Sequence, residues 1–486
     1  MKKTICIVHY NTPEFTEATI KSVRKTGTDW PIVVFDNSTE RPFKRRMRGL
    51  KVYDNTQQQI VNFDEELAKY PDKCWDMARK SNWGSIKHMM SVQKLWELVP
   101  DGFILLESDA LVTKNIEFLW DEQFAACGKV DYTSKRTRYR QPDRLLPYLC
   151  YLNVPLLKEN GAKYYDPTRS WGLQPGGKVI WNNWYDTGAP ILEDIRKTKP
   201  QLVCRVWPEL HNYYVHYQGA SWRAKDLDSQ LVFLSQHEKL WKPWEKQDAK
   251  IYICAHSDFE KRVYNPIFEV ADARKPSGKA AKDVAPDGLP GSFYSEILTY
   301  QRIAAKKTLP AMVGFCGYRK YFDFMDDVPD LSKVKCIVAR NMDMRMSMHE
   351  QYRSFSNVDD IDLLTQIINE TAPDFAHPWL MALRRYSLHP YSMFIMPSKD
   401  FREMMKLVSS LLKEWVQRVG VENVESRVTS DPAKYNIGAS PYCTVQNALR
   451  MGGNLGERII SAWIDWKFPD AQQVPVKITQ EKVVNP

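Results

Sequence analysis

Three short, largely apolar runs in the first half of the chain each end abruptly on polar residues. Residues 103–106 are all apolar and are followed by Glu107 and Asp109, and residues 4–8 and 31–35 end in a similar way. A run of consecutive apolar residues is stable in water only if both of its faces are covered. The pattern therefore predicts three buried strands of the parallel type.

A helix is predicted between the first two strands. Thr12 suits the capping position, Pro13 suits the first helical position, and residues 14–24 carry apolar side chains at helical spacing. A strand, a helix and a second strand form the first unit of an open α/β sheet, in which ligands bind outside the carboxyl ends of the strands. We therefore expect the ligand site beside the polar residues that follow each strand.

A second α/β pattern begins near the middle of the chain. Residues 235–250 mix proline with charged residues, as linkers do, and a new strand is predicted at residues 251–255. A chain of 486 residues is long enough for two domains. We predict one domain over residues 1–240, a second over residues 249–475, and a C-terminal tail over residues 476–486.

The composition narrows the functional class. It is that of a globular protein, with 43% hydrophobic and 26% charged residues, and the net charge of +9 is compatible with anionic ligands. No apolar run approaches the roughly 20 residues of a membrane span, and no secretory signal or paired cysteine motif is present, so a cytoplasmic protein is expected. The absence of a phosphate-binding loop, a dinucleotide glycine fingerprint and zinc-ligand spacing excludes typical kinases, dehydrogenases and zinc enzymes.

The two carboxylates after the third strand suit a metal ion. Glu107 and Asp109 stand two residues apart at the predicted carboxyl end of a strand. Mg²⁺ and Mn²⁺ are commonly held by one or two carboxylates together with phosphate oxygens. The pair predicts a metal-diphosphate site, although solvated loop carboxylates would give the same pattern.

Three motifs in the first half resemble the family 2 glycosyltransferases of the GT-A fold. They are I-V-x-Y-N-T-P-x-x-T at the start, V-x-D-N-S at the second strand and E-S-D at the third, and a Gly-Ser-x-x-His motif precedes the last. The resemblance covers roughly residues 3–235 and implies a nucleotide-diphosphate sugar as donor. The residues implied to bind this donor are Tyr10, Asn11, Thr12, Asp36, Asn37, Ser85, His88, Glu107, Ser108 and Asp109.

The same resemblance implies a complete metal site. The usual family motif begins with Asp where this chain has Glu107, so Asp109 is the safer ligand. GT-A enzymes often add a histidine near the end of the domain, and His216 stands at that place, with His211 as the second choice. The implied ligands of Mn²⁺ or Mg²⁺ are thus Glu107, Asp109 and His216. A structural role for His216 is the alternative.

Aromatic residues alternate with polar residues before Asp186. Trp181, Trp184 and Tyr185 lie beside amide groups, a combination suited to the apolar faces and hydroxyl edges of a sugar acceptor. A carboxylate beside the acceptor can take its hydroxyl proton, so Asp186 is the predicted general base. The alternative is that Asp186 caps a helix beginning near Pro190.

The second half carries four separated motifs: Tyr-Ser-Glu at 294–296, Met-Val-Gly-Phe-Cys-Gly-Tyr-Arg-Lys-Tyr-Phe at 312–322, His-Pro-Tyr-Ser-Met-Phe-Ile-Met at 389–396 and Gly-Glu-Arg at 456–458. Together they resemble a domain common in capsular and exopolysaccharide glycosyltransferases. The resemblance covers about residues 249–470 and implies two GT-A-like, Rossmann-related domains in tandem. The implied site residues are His256, Tyr294, Glu296, Tyr318, Arg319 and Lys320. Gly317 replaces a histidine that is usual in this family, so the role of that histidine is in doubt here. No acidic pair follows the predicted strand at 312–316, and Arg319 and Lys320 stand there instead, so metal-free binding of a diphosphate by these two cations is expected. A solvent-facing basic strand is the alternative.

Together these features predict a glycosyltransferase with one or two active domains. The expected acceptor is a surface glycan or its lipid-linked precursor. One alternative is a phage-type enzyme that adds a sugar to a hydroxylated base in DNA, which the basic residues Arg136, Arg138 and Arg140 would allow. The other is a single active domain joined to a non-catalytic domain that binds the acceptor or acts as a scaffold.

Overall fold

The computed structural model describes residues 2–69, 83–132, 142–171, 185–198, 205–217, 219, 226–255, 259, 261–272, 289, 291–439 and 443–479. The chain divides into two compact units, Met1–Pro243 and Trp244–Pro486. Among the described residues, no helix has the length and apolar character that crossing a membrane requires.

The strands of the first unit form a largely parallel sheet with the order β3-β2-β1-β4-β7-β6-β8, and β5 pairs separately with β9. Strands β1 to β4 are parallel to one another, whereas β7 is antiparallel to β4 and β6. The described strands are β1 Ile5–His9, β2 Ile32–Asp36, β3 Leu50–Asp54, β4 Phe103–Glu107, β5 Ala110–Val112, β6 Ala126–Asp131, β7 Arg144–Leu152, β8 Arg205–Val206 and β9 Tyr214–His216.

Helices cover both faces of this sheet. Cys6, Val33 and Leu105 pack on one face with residues of α3, and Ile7 and Val34 pack on the other with residues of α1. The described helices are α1 Pro13–Lys25, α2 Phe63–Ala68, α3 Trp83–Leu98, α4 Val154–Glu159, α5 Pro167–Trp171, α6 Ala189–Thr198, α7 Leu227–Gln236 and α8 Glu238–Trp241, with short 3-10 helices at Glu117–Leu119 and Pro208–Tyr213.

A mixed sheet with the order β11-β10-β12-β17-β14-β18 organises the second unit; β13 joins it by pairing with β12, and β19 pairs with β13. The described strands are β10 Ala249–Ala255, β11 Phe268–Asp272, β12 Met312–Gly317, β13 Lys320–Phe322, β14 Ile337–Ala339, β15 Met342–Asp343, β16 Ser387–Leu388, β17 Phe394–Pro397, β18 Gln472–Val474 and β19 Val476–Ile478.

The described helices of this unit pack into a large apolar core against the sheet. They are α9 Gly291–Tyr294, α10 Glu296–Ala304, α11 Met348–Phe355, α12 Val358–Thr371, α13 Pro373–Leu383, α14 Ser398–Val419, α15 Asn423–Ser430, α16 Val445–Ala448 and α17 Met451–Lys467, with short 3-10 helices at Leu331–Lys333, Pro390–Ser392 and Pro432–Tyr435.

The α/β prediction is confirmed in both units, and the largely parallel first sheet and the mixed second sheet are consistent with GT-A-like, Rossmann-related domains. Two local predictions need correction. Residues 476–486 were predicted to be a tail, but β19 begins at Val476 and pairs with β13, because its backbone groups complete that edge of the sheet. Thr12 occupies the position before α1, but its side chain makes no capping hydrogen bond.

Candidate active site

The loop after β4 is held in place by helix α1. The hydroxyl of Thr19 donates to the carbonyl oxygen of Ser108 at 2.8 Å, and the hydroxyl of Ser22 accepts from the N–H of Val112 at 2.8 Å. These bonds anchor both ends of the segment that carries Asp109. The turn between β4 and β5 therefore presents Glu107 and Asp109 at a fixed place at the carboxyl edge of the sheet.

Strand β9 brings His216 to the same place. Ala110 of β5 lies opposite His216, and the N–H of Tyr217 donates to the carbonyl oxygen of Asp109 at 3.2 Å. The Nε2 atom of His216 lies 2.9 Å from Oε2 of Glu107 and 3.1 Å from Oδ1 of Asp109. The structure thus brings together the three side chains that the sequence analysis proposed as metal ligands.

The electrostatics of this triad require a positive charge at its centre. One ligand atom from each of the three side chains lies within 4.8 Å of the other two. Burial raises the pKa of Glu107. Burial alone would lower the pKa of His216, but its hydrogen bonds to Asp109 and Glu107 raise that pKa to about 9. A protonated imidazole therefore lies between the two carboxylates at neutral pH.

The donor set of the triad fits a divalent cation. Two carboxylate oxygens and one imidazole nitrogen converge, and a cation placed there would take over the charge that the protonated His216 supplies. Carboxylates suit Mg²⁺ and Mn²⁺ alike, whereas an imidazole nitrogen fits the harder Mg²⁺ less well. Glu107, Asp109 and His216 could therefore hold a divalent cation.

Strand β7 adds two residues that the sequence analysis missed. The ring centroid of Tyr148 lies 4.0 Å from that of His216, and burial raises the pKa of Tyr148. Arg144 forms an ion pair with Asp186, and its Nε atom lies 3.6 Å from Oδ2 of Asp131. Both residues lie on the strand that pairs with β4, and a lone arginine or tyrosine within a strand carries no motif that the sequence analysis could have used.

Asp186 lies beside Arg144, near the triad but not part of it. One oxygen of its carboxylate accepts from the guanidinium of Arg144, and the other accepts from the N–H and hydroxyl of Thr187 at 2.8 and 3.1 Å. Helix α6 begins at Ala189, whose N–H bonds to the carbonyl oxygen of Asp186 rather than to its carboxylate. Among the described residues, the carboxylate of Asp186 therefore bonds to Arg144 and Thr187 rather than to the first N–H of α6. Residues 181–184 lie outside the described part of the chain, and the role of Asp186 as general base stays a prediction.

Helix α3 contributes Ser85 and His88, which are both half-buried and three residues apart. Burial lowers the pKa of His88 to about 4, and the nearby charge of Asp186 only partly opposes this effect. Within the described part of the chain, the Nδ1 atom of His88 is buried and makes no hydrogen bond. His88 is therefore a neutral imidazole at physiological pH, with a nitrogen left for a further interaction.

We expect His88 to make the protein less stable at acidic pH. The pKa of this side chain is about 4 in the folded state and about 6.5 when unfolded, so the unfolded state binds the proton first as the pH falls below 6.5. The loss in the free energy of unfolding should reach about 2 kcal/mol at pH 5. Urea titrations of wild type and His88→Gln at pH 7 and pH 5 measure this loss.

The variant should lose less stability between these two pH values than the wild type. His211→Gln is the matched control, because His211 is exposed and, among the described residues, its ring bonds to the carbonyl oxygen of Pro208 alone. An identical acid loss in wild type and His88→Gln would contradict the assignment of a neutral buried imidazole at position 88.

Asn11, Asp36 and Asn37 were predicted to bind the base and ribose of the donor. They lie at the same edge of the sheet, but their side chains bond to other groups of the protein. Asn11 has a φ of 53°, and its side-chain oxygen accepts from three successive N–H groups at 2.9–3.1 Å. Asp36 accepts from the N–H groups of Ser38 and Phe43, and Asn37 donates to the hydroxyl of Ser91. These three buried side chains shape the loop that follows β2.

Tyr10 and Thr12 complete the predicted set on the first unit. The ring of Tyr10 is half-buried, and its hydroxyl lies 3.4 Å from that of Thr39. Thr12 is fully buried, and its hydroxyl has no hydrogen-bond partner among the described residues. Direct contact with a nucleotide at this edge is thus open to Tyr10, whereas Thr12 lies beneath the surface.

The predicted residues of the second unit lie near the carboxyl end of β12. Tyr318 is buried, Arg319 is exposed with its guanidinium 4.8 Å from the ring centroid of Tyr318, and Lys320 is half-buried. Tyr294 and Glu296 lie at the end of α9 and the start of α10. His256 lies outside the described residues.

Comparison with known families and proteins gives one family match. Residues 250–430 match the model of a domain of unknown function, DUF4422, within the second unit. No curated protein matches the chain.

Comparison with solved structures finds glycosyltransferases at low similarity. The apo structure of the bifunctional glycosyltransferase WbbM is 12% identical with a TM-score of 0.37, and the match covers 50% of this chain and 47% of that one. The galactosyltransferase LgtC with donor and acceptor sugar analogues is 16% identical with a TM-score of 0.28, covering 41% and 72%. The glycosyltransferase GlyE of Streptococcus pneumoniae TIGR4 is 10% identical with a TM-score of 0.26, covering 56% and 74%.

This chain thus matches about half the length of WbbM. At such low TM-scores and identities, these similarities assign neither a substrate nor a catalytic residue to the chain. Any function for it has to be argued from its own site.

Proposed function

We propose that this protein is a glycosyltransferase. In this proposal, its first unit moves a sugar from a nucleotide-diphosphate sugar to an acceptor hydroxyl. The observation that carries the proposal is the convergence of Glu107, Asp109 and His216 at the carboxyl edge of a parallel sheet. Ligands of open α/β sheets bind at that edge. Proteins commonly bind a divalent cation through one or two carboxylates while the cation also binds phosphate oxygens of the substrate.

The triad would hold Mn²⁺ or Mg²⁺ through Glu107 Oε2, Asp109 Oδ1 and His216 Nε2. When bound, the cation would neutralise the negative charge that develops on the leaving diphosphate. The ring of Tyr148 packs against that of His216 at a tilt of 38° and restricts its movement, so that Nε2 stays directed at the two carboxylates. Because these side chains are already held in place, the site can stabilise charge that develops in the transition state with little reorganisation.

Arg144 and Asp186 supply the remaining chemistry in this proposal. Asp186 takes the proton of the acceptor hydroxyl as general base, and the guanidinium of Arg144 holds its carboxylate in position. Arg144 also adds a fixed positive charge near Glu107 and Tyr148. His88, which is neutral and close to Asp186, offers a hydrogen-bonding nitrogen for a substrate hydroxyl.

The class of acceptor is also part of this proposal. A surface glycan or its lipid-linked precursor is the acceptor that the sequence motifs favour, and the family 2 assignment of the first unit belongs to the same proposal. The alternative of DNA glycosylation depended on Arg136, Arg138 and Arg140. These residues lie outside the described part of the chain, so no structural observation on them supports it.

The proposal is tested by incubating the protein with a panel of nucleotide-diphosphate sugars and glycan acceptors, in Mn²⁺ and in excess chelator. Mass spectrometry of the products identifies the donor and the acceptor. We expect product only when metal is present. If no donor of the panel is transferred to an acceptor or slowly hydrolysed, the result would contradict the proposed function.

Asp186→Asn tests the role of the base in the same assay. We expect kcat to fall by about 10²–10⁴-fold with little change in the KM of the donor, because a general base acts in the chemical step. Asp143→Asn is the matched control, since Asp143 pairs with the surface residue Arg196. A loss confined to the KM of the acceptor would reassign Asp186 to acceptor positioning.

A further inference from the structure

The second unit exposes a group of large apolar side chains that the proposed function does not use. They come from three segments, which are the stretch around β15, the end of α13 with the loop before β16, and the end of α17. A single exposed apolar residue needs no explanation, whereas a group on adjoining elements marks an interaction surface. Between 36% and 61% of each residue in this group is exposed. We call the group the apolar face, and its members are Met342, Met346, Leu380, Met381, Tyr386 and Trp466.

The first segment is fixed beside the loop that precedes β16. Strand β15 pairs with β16, and the N–H of Met344 donates to the carbonyl oxygen of Tyr386 at 3.0 Å. Alternate methionines of this segment point in different directions, since Met344 and Met348 are buried in the core while Met342 and Met346 are exposed. The buried pair anchors the segment, so the exposed pair is presented close to Tyr386.

The ends of α13 and α17 join the first segment through Arg385. Its N–H donates to the carbonyl oxygen of Ala382 on α13 at 3.0 Å, and its guanidinium forms an ion pair with Asp465, the residue before Trp466. The ring centroid of Trp466 lies 5.8 Å from that of Phe375 on α13. The three segments that carry the apolar face are therefore in contact with one another.

Helix α13 presents its part of the apolar face on the side away from the core. Trp379 and Leu383 are buried, whereas Leu380, Met381 and Arg384 are exposed. Residues that stand three or four positions apart lie on one side of a helix. The exposed arginine therefore lies on the same side of α13 as the two exposed apolar residues.

Arginines without ion pairs border the apolar face. Residues 342–346 and 380–386 together carry three arginines and one aspartate, which gives a net charge of +2. Arg345 and Arg384 are exposed, and neither forms an ion pair with a residue in the described part of the chain. Arg385 is paired with Asp465. The two unpaired guanidinium groups are therefore available to phosphate oxygens, which they can bind in a bidentate manner.

We propose that the apolar face, together with Arg345 and Arg384, docks the second unit on an anionic lipid surface. The aliphatic residues of the face enter the boundary between head groups and acyl chains. The rings of Tyr386 and Trp466 lie at the level of the head groups, where their polar edges stay in contact with water. The two arginines bind lipid phosphates.

The composition and charge of the face favour a lipid surface. Methionine side chains are flexible, so Met342, Met346 and Met381 adapt to a surface that has no fixed shape. The net charge of +2 is attracted to anionic head groups, whereas a neutral partner would leave it unopposed. Docking of this kind is separate from sugar transfer and does not depend on the proposed reaction.

Co-sedimentation of the full chain with vesicles tests this proposal. The vesicles contain phosphatidylcholine alone or a mixture of phosphatidylcholine and phosphatidylglycerol. We expect binding to the mixed vesicles that weakens with added salt, and weaker binding to phosphatidylcholine alone. Replacing Arg345 and Arg384 by Gln should weaken binding to mixed vesicles by about fivefold for each arginine removed. The double variant Leu380→Ser/Met381→Ser should weaken binding to both kinds of vesicle by about tenfold, because less apolar surface is buried.

Exposed residues of the same unit outside the three segments provide matched controls. Lys413→Gln removes an exposed cation, and Val421→Ser/Val445→Ser removes two apolar side chains on residues that are 43% and 38% exposed. These variants should bind vesicles as the wild type does, and unchanged melting temperatures would show that all variants are folded. Failure of the wild type to sediment with mixed vesicles would overturn the proposal, and so would equal losses in the face variants and the controls. A dimer in solution that the face variants abolish, without vesicle binding, would assign the face to a second copy of the chain instead.

Discussion

Replacing Asp109 by Asn is expected to abolish sugar transfer by the first unit while leaving its fold intact. The substitution removes one of the two carboxylates that converge on His216, so Mn²⁺ should bind much more weakly. Loss of metal-based charge stabilisation is worth several kcal/mol, which corresponds to a decrease of about 10³-fold in kcat/KM. Calorimetric titration with Mn²⁺ and the transfer assay measure the two effects separately.

Asp29→Asn is the control for the loss of one carboxylate. The side chain of Asp29 is 81% exposed and its nearest ion-pair contact, with Arg24, is 4.0 Å long. This variant should bind Mn²⁺ and transfer sugar as the wild type does. Wild-type affinity for Mn²⁺ in Asp109→Asn would contradict the assignment of Asp109 as a metal ligand. Undiminished transfer in excess chelator would contradict a role of the metal in the reaction.

Three strands of the first unit could be predicted because buried parallel strands leave a simple pattern. Residues 4–8, 31–35 and 103–106 lie in a sheet covered on both faces, so their sequences are apolar almost without interruption. Polar residues at their carboxyl ends then mark the ligand edge. The location of the candidate site followed from this pattern, before any individual contact was known.

The partners within the site could not be derived in the same way. His216 reaches Asp109 only because β5 pairs with β9, across 107 residues of chain. No local pattern specifies such a pairing, and only a family resemblance pointed to His216. Arg144 was missed because a single arginine on a strand carries no motif. Its role is visible only from the ion pair with Asp186.

Side-chain direction was the other feature that the sequence left undetermined. Asn11 and Asp36 stand at the predicted strand ends, but their oxygens accept backbone N–H groups of the loop after β2. Short polar side chains readily bond to nearby backbone, and the sequence does not show which of them do so.

Gly188→Ala is expected to have the largest effect on stability among substitutions near the active site. Gly188 has a φ of 81°, and an added Cβ would lie 2.0 Å from the carbonyl oxygen of Leu145 on β7. The N–H of Leu145 donates to the carbonyl oxygen of Gly188 at 3.2 Å, which docks the segment carrying Asp186 beside Arg144. Strain and overpacking together should lower the free energy of unfolding by roughly 3 kcal/mol or more.

Gly161→Ala separates the steric effect from the conformational one. Gly161 also has a positive φ, of 66°, but no atom lies within 4 Å of an added Cβ. This control should lose only about 1 kcal/mol, since it carries the backbone strain without the clash. Calorimetric unfolding of both variants measures the difference, and kcat should fall further in Gly188→Ala because the Asp186–Arg144 pair is displaced. Equal destabilisation of the two variants would show that contact with Leu145 does not fix the position of Asp186.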